Sequence, residues 1–103
     1  MKIYISIPIS GHKLDKVHSK ADAIKQQLIA DGHEAITPFD VCSEPDKSYA
    51  YYMGRDIEAM LGCDAIYLCD GWQDSRGCQA EAVIAKIYEK QIFPFSEADL
   101  INP

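Results

Sequence analysis

Three stretches of this chain carry side chains suited to chemistry. The densest is Asp70-Gly71-Trp72-Gln73-Asp74-Ser75-Arg76-Gly77-Cys78-Gln79-Ala80-Glu81, where a hydroxyl, a glycine turn and a carboxylate gather at one helix start. A glutamate in the first turns of a helix can complement the helix dipole or cap the helix, or it can act as a nucleophile. The neighbours Cys78, Ala80, Ala82 and Val83 are small or apolar and leave the Glu81 carboxylate partly desolvated at the edge of a sheet, a setting that suits the second role. Near the N-terminus, Pro8-Ile9-Ser10-Gly11-His12-Lys13 forms a turn in which Gly11 lets the backbone approach a ligand, and the following helix offers unpaired N–H groups to an anion. The same glycine can serve the turn alone, with His12 and Lys13 as solvated surface. The third stretch contains Asp56, beside Ile57 in a segment leading to Cys63-Asp64, where an exposed helical aspartate is the plain reading.

Tyr4 shares one face of the first strand with Ser6, while Ile3, Ile5 and Ile7 take the other. A tyrosine hydroxyl on a central strand must find a partner. If that partner is a carboxylate, the tyrosine fixes its orientation; a packed tyrosine is the other reading. Trp72 can stack on a base or shield a site, or pack against loop residues.

The elements that position these residues alternate along the chain. Lys2 to Ile7 is rich in β-branched residues and ends in Pro8 and Gly11, a strand running into a turn. From Leu14 to Ala30, Val17, Ala21, Ile24 and Leu28 recur at helical spacing before the stop at Asp31-Gly32. His33 to Phe39 reads as a strand, Asp40 to Ser48 as a loop long enough to overhang a site, and Tyr49 to Gly62 as a helix on Met53, Ile57, Met60 and Leu61. Ala65 to Cys69 is a near-continuous apolar strand. Gly77 to Lys90 reads as a helix whose Ala80, Val83, Ile84 and Ile87 face the sheet, and Ile92 to Phe95 as a last strand. Such alternation predicts an α/β fold with a parallel sheet, with ligands outside the carboxyl ends of its strands.

At 103 residues, with 48% hydrophobic and 25% charged residues, the chain reads as a single domain over residues 1–103. A net charge of −6 without a basic block argues against a polymeric nucleic acid partner, while one small anion needs only a helix start and a few side chains. The opening apolar run is too short for a signal peptide and is broken by Pro8, and no segment reaches the length of a membrane span. Cys42, Cys63, Cys69 and Cys78 include no C-x-x-C pair and no histidine at metal-ligand spacing, which reads as thiols in a reducing cytoplasm. Cys63 and Cys69 read as buried small hydrophobes, and Cys78 lies near a helix start where a thiolate is stabilised. Nothing points to a metal or an organic cofactor.

Taken together, Ile3-Tyr4-Ile5-Ser6 with Pro8 and Gly11, Arg55-Asp56 eight residues before Cys63-Asp64, and Ser75-x-Gly77-x-x-x-Glu81 resemble the nucleoside 2-deoxyribosyltransferase superfamily. That superfamily includes the deoxynucleoside 5'-monophosphate N-glycosidases, and its short DUF4406 domains are the branch this chain looks most like. The resemblance spans most of the chain. It implies a small flavodoxin-like or Rossmann-like three-layer sandwich with a parallel sheet of four or five strands. It also implies Glu81 as nucleophile on C1' of the sugar, Tyr4 as the residue positioning it and Asp56 as handler of the departing base's proton. Ser6 on the first strand, Pro8, Ser10, Gly11 and His12 after it, and Trp72, Ser75 and Gly77 after the third, would then contact a nucleoside or nucleotide. Ser75 matches a position that is serine in the monophosphate N-glycosidases, where it contacts phosphate, and aspartate in many transferases, which tilts the reading towards nucleotide hydrolysis. The chain is shorter than typical transferases, so a C-terminal segment that in relatives reaches a neighbouring subunit's site is reduced here, with Asn102 left to serve it. A homodimer or higher homo-oligomer is likewise implied by the resemblance.

Chemically, a carboxylate traps an oxocarbenium-like centre as a glycosyl-enzyme ester, which water or a second base then releases. Two other readings stand beside this one. A non-catalytic nucleotide-binding module on the same fold would bind without forming product, and an interaction domain would bind no nucleotide at all.

Overall fold

A computed structural model describes residues 1–94 of the chain. Asn102, and the Phe95 end of the expected last strand, lie outside the described residues.

The elements run β1 (Lys2–Ser6), α1 (Leu14–Ala30), β2 (Glu34–Ile36), α2 (Pro38–Val41), α3 (Tyr49–Leu61), β3 (Ala65–Leu68), α4 (Arg76–Ile87) and β4 (Gln91–Phe93), with a 3-10 turn at Trp72–Asp74. Four strands form one all-parallel sheet in the order β2-β1-β3-β4. The register sets Tyr4 beside Ile36 on one side and Ile66 on the other.

The alternation of β1 divides the core. Ile3, Ile5 and Ile7 pack with Val17, Ala21 and Leu28 of α1 on one face of the sheet. Tyr4, with Ile66 and Leu68, packs with Met60, Cys78, Ala82 and Ala85 of α3 and α4 on the other. Helices thus cover both faces, giving a three-layer α/β sandwich. From β1 the chain steps to β2 on one side and later to β3 on the other, so the strand order reverses between β1 and β3 and opens a crevice at their carboxyl ends.

Two expectations are corrected, and one turn is added. The strand expected over 33–39 stops at Ile36, because Thr37 caps a short helix: its Oγ1 accepts the Asp40 N–H at 3.2 Å and its own N–H donates to Asp40 Oδ2 at 2.9 Å. Pro38 at the first helical position suits that turn. Part of the polar stretch after β3 is a 3-10 turn, entered through Gly71 at φ 86°, a left-handed conformation that glycine adopts readily. Helix α4 presents Cys78, Glu81, Ala82 and Ala85 inward, whereas Val83 and Ile87, expected to face the sheet, point to solvent. The sequence offers α4 two apolar stripes, and the smaller side chains take the sheet.

Candidate functional site

The crevice holds a cavity of about 1000 Å³, large enough for a small-molecule ligand. Its floor comes from β1, through Tyr4 and the Ile7-Pro8-Ile9-Ser10 turn, and from the start of α4, through Ser75, Gly77, Cys78 and Glu81. Its wall is α3, through Tyr49, Tyr52, Met53 and Asp56, and the residues Cys42–Pro45 run over it.

Glu81 is the chemical centre. The Tyr4 hydroxyl donates to Oε2 at 3.0 Å, and the Ser6 hydroxyl donates to Oε1 at 2.6 Å. All three residues are buried. Burial pushes the Glu81 carboxyl up to about 7, and the charge of Asp56 pushes the same way, while the bonds from Ser6 and Tyr4 pull against them. Burial likewise lifts Asp56 to about 6. Tyr4 is held well above the usual phenol range, first by burial and then by the Glu81 charge, so its hydroxyl remains a donor. The helix dipole does not explain Glu81, which sits one and a half turns into α4 and points its carboxylate at β1.

Ser75 is the N-cap of α4 and its Oγ accepts the Cys78 N–H at 3.2 Å, which holds the helix start against the cavity. At Gly77 an added Cβ would lie 3.3 Å from both Met53 Sδ and Tyr49 Oη, so glycine lets α3 and α4 approach where both line the cavity. Cys78 is buried, and burial raises its thiol above the usual range, with Ser6 and Ser75 opposing. The thiolate stabilisation read from its place near a helix start is outweighed by desolvation. Burial of Cys63 and Cys69 agrees with their reading as small core residues, and the Cys69 thiol is pushed up to about 12.

Of the residues expected to contact a ligand, Pro8, Ser10, His12, Ser75 and Gly77 line the cavity together with Tyr4, Asp56 and Glu81. Ser6 does not: it is fully buried behind Glu81, which it holds. Gly11 is exposed at φ 82° and shapes the turn without lining the cavity. Trp72 is 5% exposed and packs in the core with Tyr4, Leu68 and Cys78, so its indole faces the sheet layer and not the cavity. Among the described residues no group of three or more His, Cys, Asp or Glu side chains is placed to hold a metal ion, and no helix is long and apolar enough to cross a membrane.

Residues 1–94 match the family described as domain of unknown function DUF4406. The chain belongs to the DUF4406 family. None of the curated proteins matches it. In this DUF4406 domain the match covers every described element, from β1 through β4.

The DUF4406 site also includes residues that the sequence reading passed over. Tyr49, Tyr52 and Met53 line the cavity beside the expected Asp56, and the four recur at positions i, i+3, i+4 and i+7, one face of α3. That spacing was open to reading beside the Met53, Ile57, Met60 stripe. Phe39 and His18 also line the cavity, with ring centroids 3.5 Å apart in a stack that ties α2 to α1, and the Lys25 to Asp40 ion pair at 2.9 Å adds a second tie. Over the opening, Tyr51 and Tyr52 donate to Glu44 Oε1 at 3.0 Å and to the Glu44 carbonyl at 2.6 Å, fastening the 42–48 segment to α3.

Proposed function

We propose that this domain cleaves or transfers the N-glycosidic bond of a nucleoside, a deoxynucleoside or a 5'-monophosphate of either, and that it is a member of the nucleoside 2-deoxyribosyltransferase-like superfamily. The observation that carries the reading is a buried glutamate on the wall of a large cavity, with a separate hydroxyl donating to each of its oxygens. A carboxylate held this way cannot rotate away from a reacting carbon, and its position is fixed before the substrate arrives.

In the first step a Glu81 oxygen bonds to C1' while the bond from C1' to the base nitrogen breaks, its electron pair leaving with the base. Asp56, on the facing helix and lifted to about 6, supplies the proton the departing base needs. In the second step water attacks C1', gives its proton to the Asp56 carboxylate and releases Glu81; a second base attacking instead completes a transfer. Tyr4 and Ser6 act on Glu81 and are positioning residues. The cavity edge at Pro8, Ser10, His12, Ser75 and Gly77 is left to hold the rest of the ligand.

The test is free-base release from a panel of ribonucleosides, deoxyribonucleosides and their 5'-monophosphates, with a second base added in parallel wells and Glu81→Ala beside the wild type. Release that vanishes in Glu81→Ala supports the reading, and the acceptor wells separate hydrolase from transferase. Ligand binding without release from a folded wild type would replace it with the nucleotide-binding module.

A further inference from the structure

The segment between α2 and α3 is held over the cavity by one side chain. At its ends the Cys42 N–H donates to the Pro38 carbonyl, and the Ser48 carbonyl accepts the Tyr52 N–H. Between them, among the described residues, the backbone of Ser43 to Lys47 has two hydrogen bonds, and both go to the Tyr52 hydroxyl. That hydroxyl accepts the Lys47 N–H at 3.1 Å and donates to the Glu44 carbonyl at 2.6 Å.

The residue types account for this geometry. Glu44-Pro45-Asp46-Lys47 has proline at the second position of a turn, where its fixed φ is suitable, and Asp46 at φ 59°, a left-handed conformation that aspartate tolerates better than most side chains. In a closed turn the first carbonyl accepts the fourth N–H directly. Here the phenol oxygen stands between the two and ties the turn to α3. The outer fastening is weaker. Tyr51 donates to Glu44 Oε1 at 3.0 Å and Lys47 Nζ lies 3.7 Å from Glu44 Oε2, but these groups are exposed, and an exposed ion pair contributes little.

Tyr52 is half-buried, and its ring lines the cavity one turn before Asp56. Ser43, Glu44 and Pro45 line the same cavity. One side chain therefore meets the ligand space with its ring and the roof with its hydroxyl.

We propose that Tyr52 is a positioning residue that latches residues 43–47 as a movable roof, so that a ligand packed on its ring keeps the roof shut and loss of its hydroxyl lets the roof lift. The ligand part rests on the reading of the cavity as a nucleoside site; the latch does not.

Trypsin cleavage after Lys47, followed by mass spectrometry, reads the roof, because the chain must leave its turn to enter a protease. Tyr52→Phe keeps the ring and should speed this cleavage about tenfold or more through the loss of both hydrogen bonds, with a smaller effect in Tyr51→Phe. Cleavage after Lys20, within α1, reports loosening of the whole fold and should stay at the wild-type rate. Saturation with a carbocyclic nucleoside, which has no N-glycosidic bond to break, should slow cleavage after Lys47 in the wild type and far less in Tyr52→Phe. If calorimetry finds that no carbocyclic nucleoside binds, the nucleoside reading fails and takes the ligand part with it, while the comparison of wild type with Tyr52→Phe still decides the latch. Cleavage of Tyr52→Phe at the wild-type rate overturns the proposal, as does a bound nucleoside that leaves cleavage after Lys47 unchanged. Should cleavage after Lys20 rise in step in Tyr52→Phe, hydrogen exchange of the wild type decides. The Lys47 amide should open independently of urea, and the amides of β3 only with global unfolding; a shared urea dependence overturns the latch.

Discussion

The hydroxyl of Ser6 meets Oε1 of Glu81 at 2.6 Å across 75 residues of sequence, and neither side chain is more than 4% exposed. With Tyr4 on the other oxygen, the bonds favour the charged carboxylate against a burial that favours the neutral acid. Removing either donor should therefore raise the Glu81 pKa further. A hydrogen bond to a charged group contributes about 1.5–3 kcal/mol, which corresponds to a rise of roughly one to two pH units in Ser6→Ala or Tyr4→Phe. Carbon-detected NMR titration of the Glu81 carboxyl reads this directly. A pKa that stays near 7 in Ser6→Ala would show that Ser6 does not hold the ionised form.

The same shift makes stability depend on pH. Folded, Glu81 keeps its proton up to about 7; unfolded, only to the ordinary 4.5. Between those values the folded state binds more protons, so the Glu81 contribution to stability falls as pH rises through this window and is fully lost above it. The difference amounts to about 3 kcal/mol, and Asp56, lifted to about 6, adds in the same direction. Urea unfolding should find the wild type losing more stability between pH 5 and pH 8 than Glu81→Gln does. Parallel losses in the two proteins would remove Glu81 as the source.

Trp72 separates a core role from a ligand role. Packed against Tyr4, Leu68 and Cys78, it should cost about 3–5 kcal/mol when replaced by alanine. Trp72→Phe should lose less stability and, under the proposed reaction, keep the wild-type affinity for a nucleoside or nucleotide, because the indole does not line the cavity. Weakened binding at unchanged stability in Trp72→Phe, measured by calorimetry, would return Trp72 to the site.

The residues of the candidate site were largely legible in sequence because period-two alternation in β1 puts Tyr4 and Ser6 on one face, and because the Ser75, Gly77, Glu81 spacing marks the start of α4. What alternation does not reveal is which partner a shared face meets, so Ser6 reads as a ligand contact until Glu81 is seen in front of it. The face of α4 was misread for a related reason. Its two stripes score alike as apolar, and only the close packing of small side chains on the sheet, at Cys78, Ala82 and Ala85, decides between them. The short helix α2 was hidden because the strand was read through Pro38 to Phe39, although proline is disfavoured within a strand and favoured at the first position of a helix that Thr37 caps.

The two carboxyls make a specific prediction for the rate. Catalysis as proposed needs Glu81 ionised and Asp56 protonated, yet Glu81, at about 7, holds its proton more tightly than Asp56, at about 6. The productive arrangement is then the minority form of the singly protonated pair, and its population peaks midway between the two values. The profile of kcat/KM against pH should be a bell with limbs near 6 and 7. Asp56→Asn should be slower by about a hundredfold or more and should lose the falling limb. Its rising limb should move up towards the Glu81 value, since ionisation of Glu81 alone then governs the rate, tempered by loss of the Asp56 charge that helped to raise it. A falling limb that persists in Asp56→Asn would assign the proton donor to another group on the cavity wall.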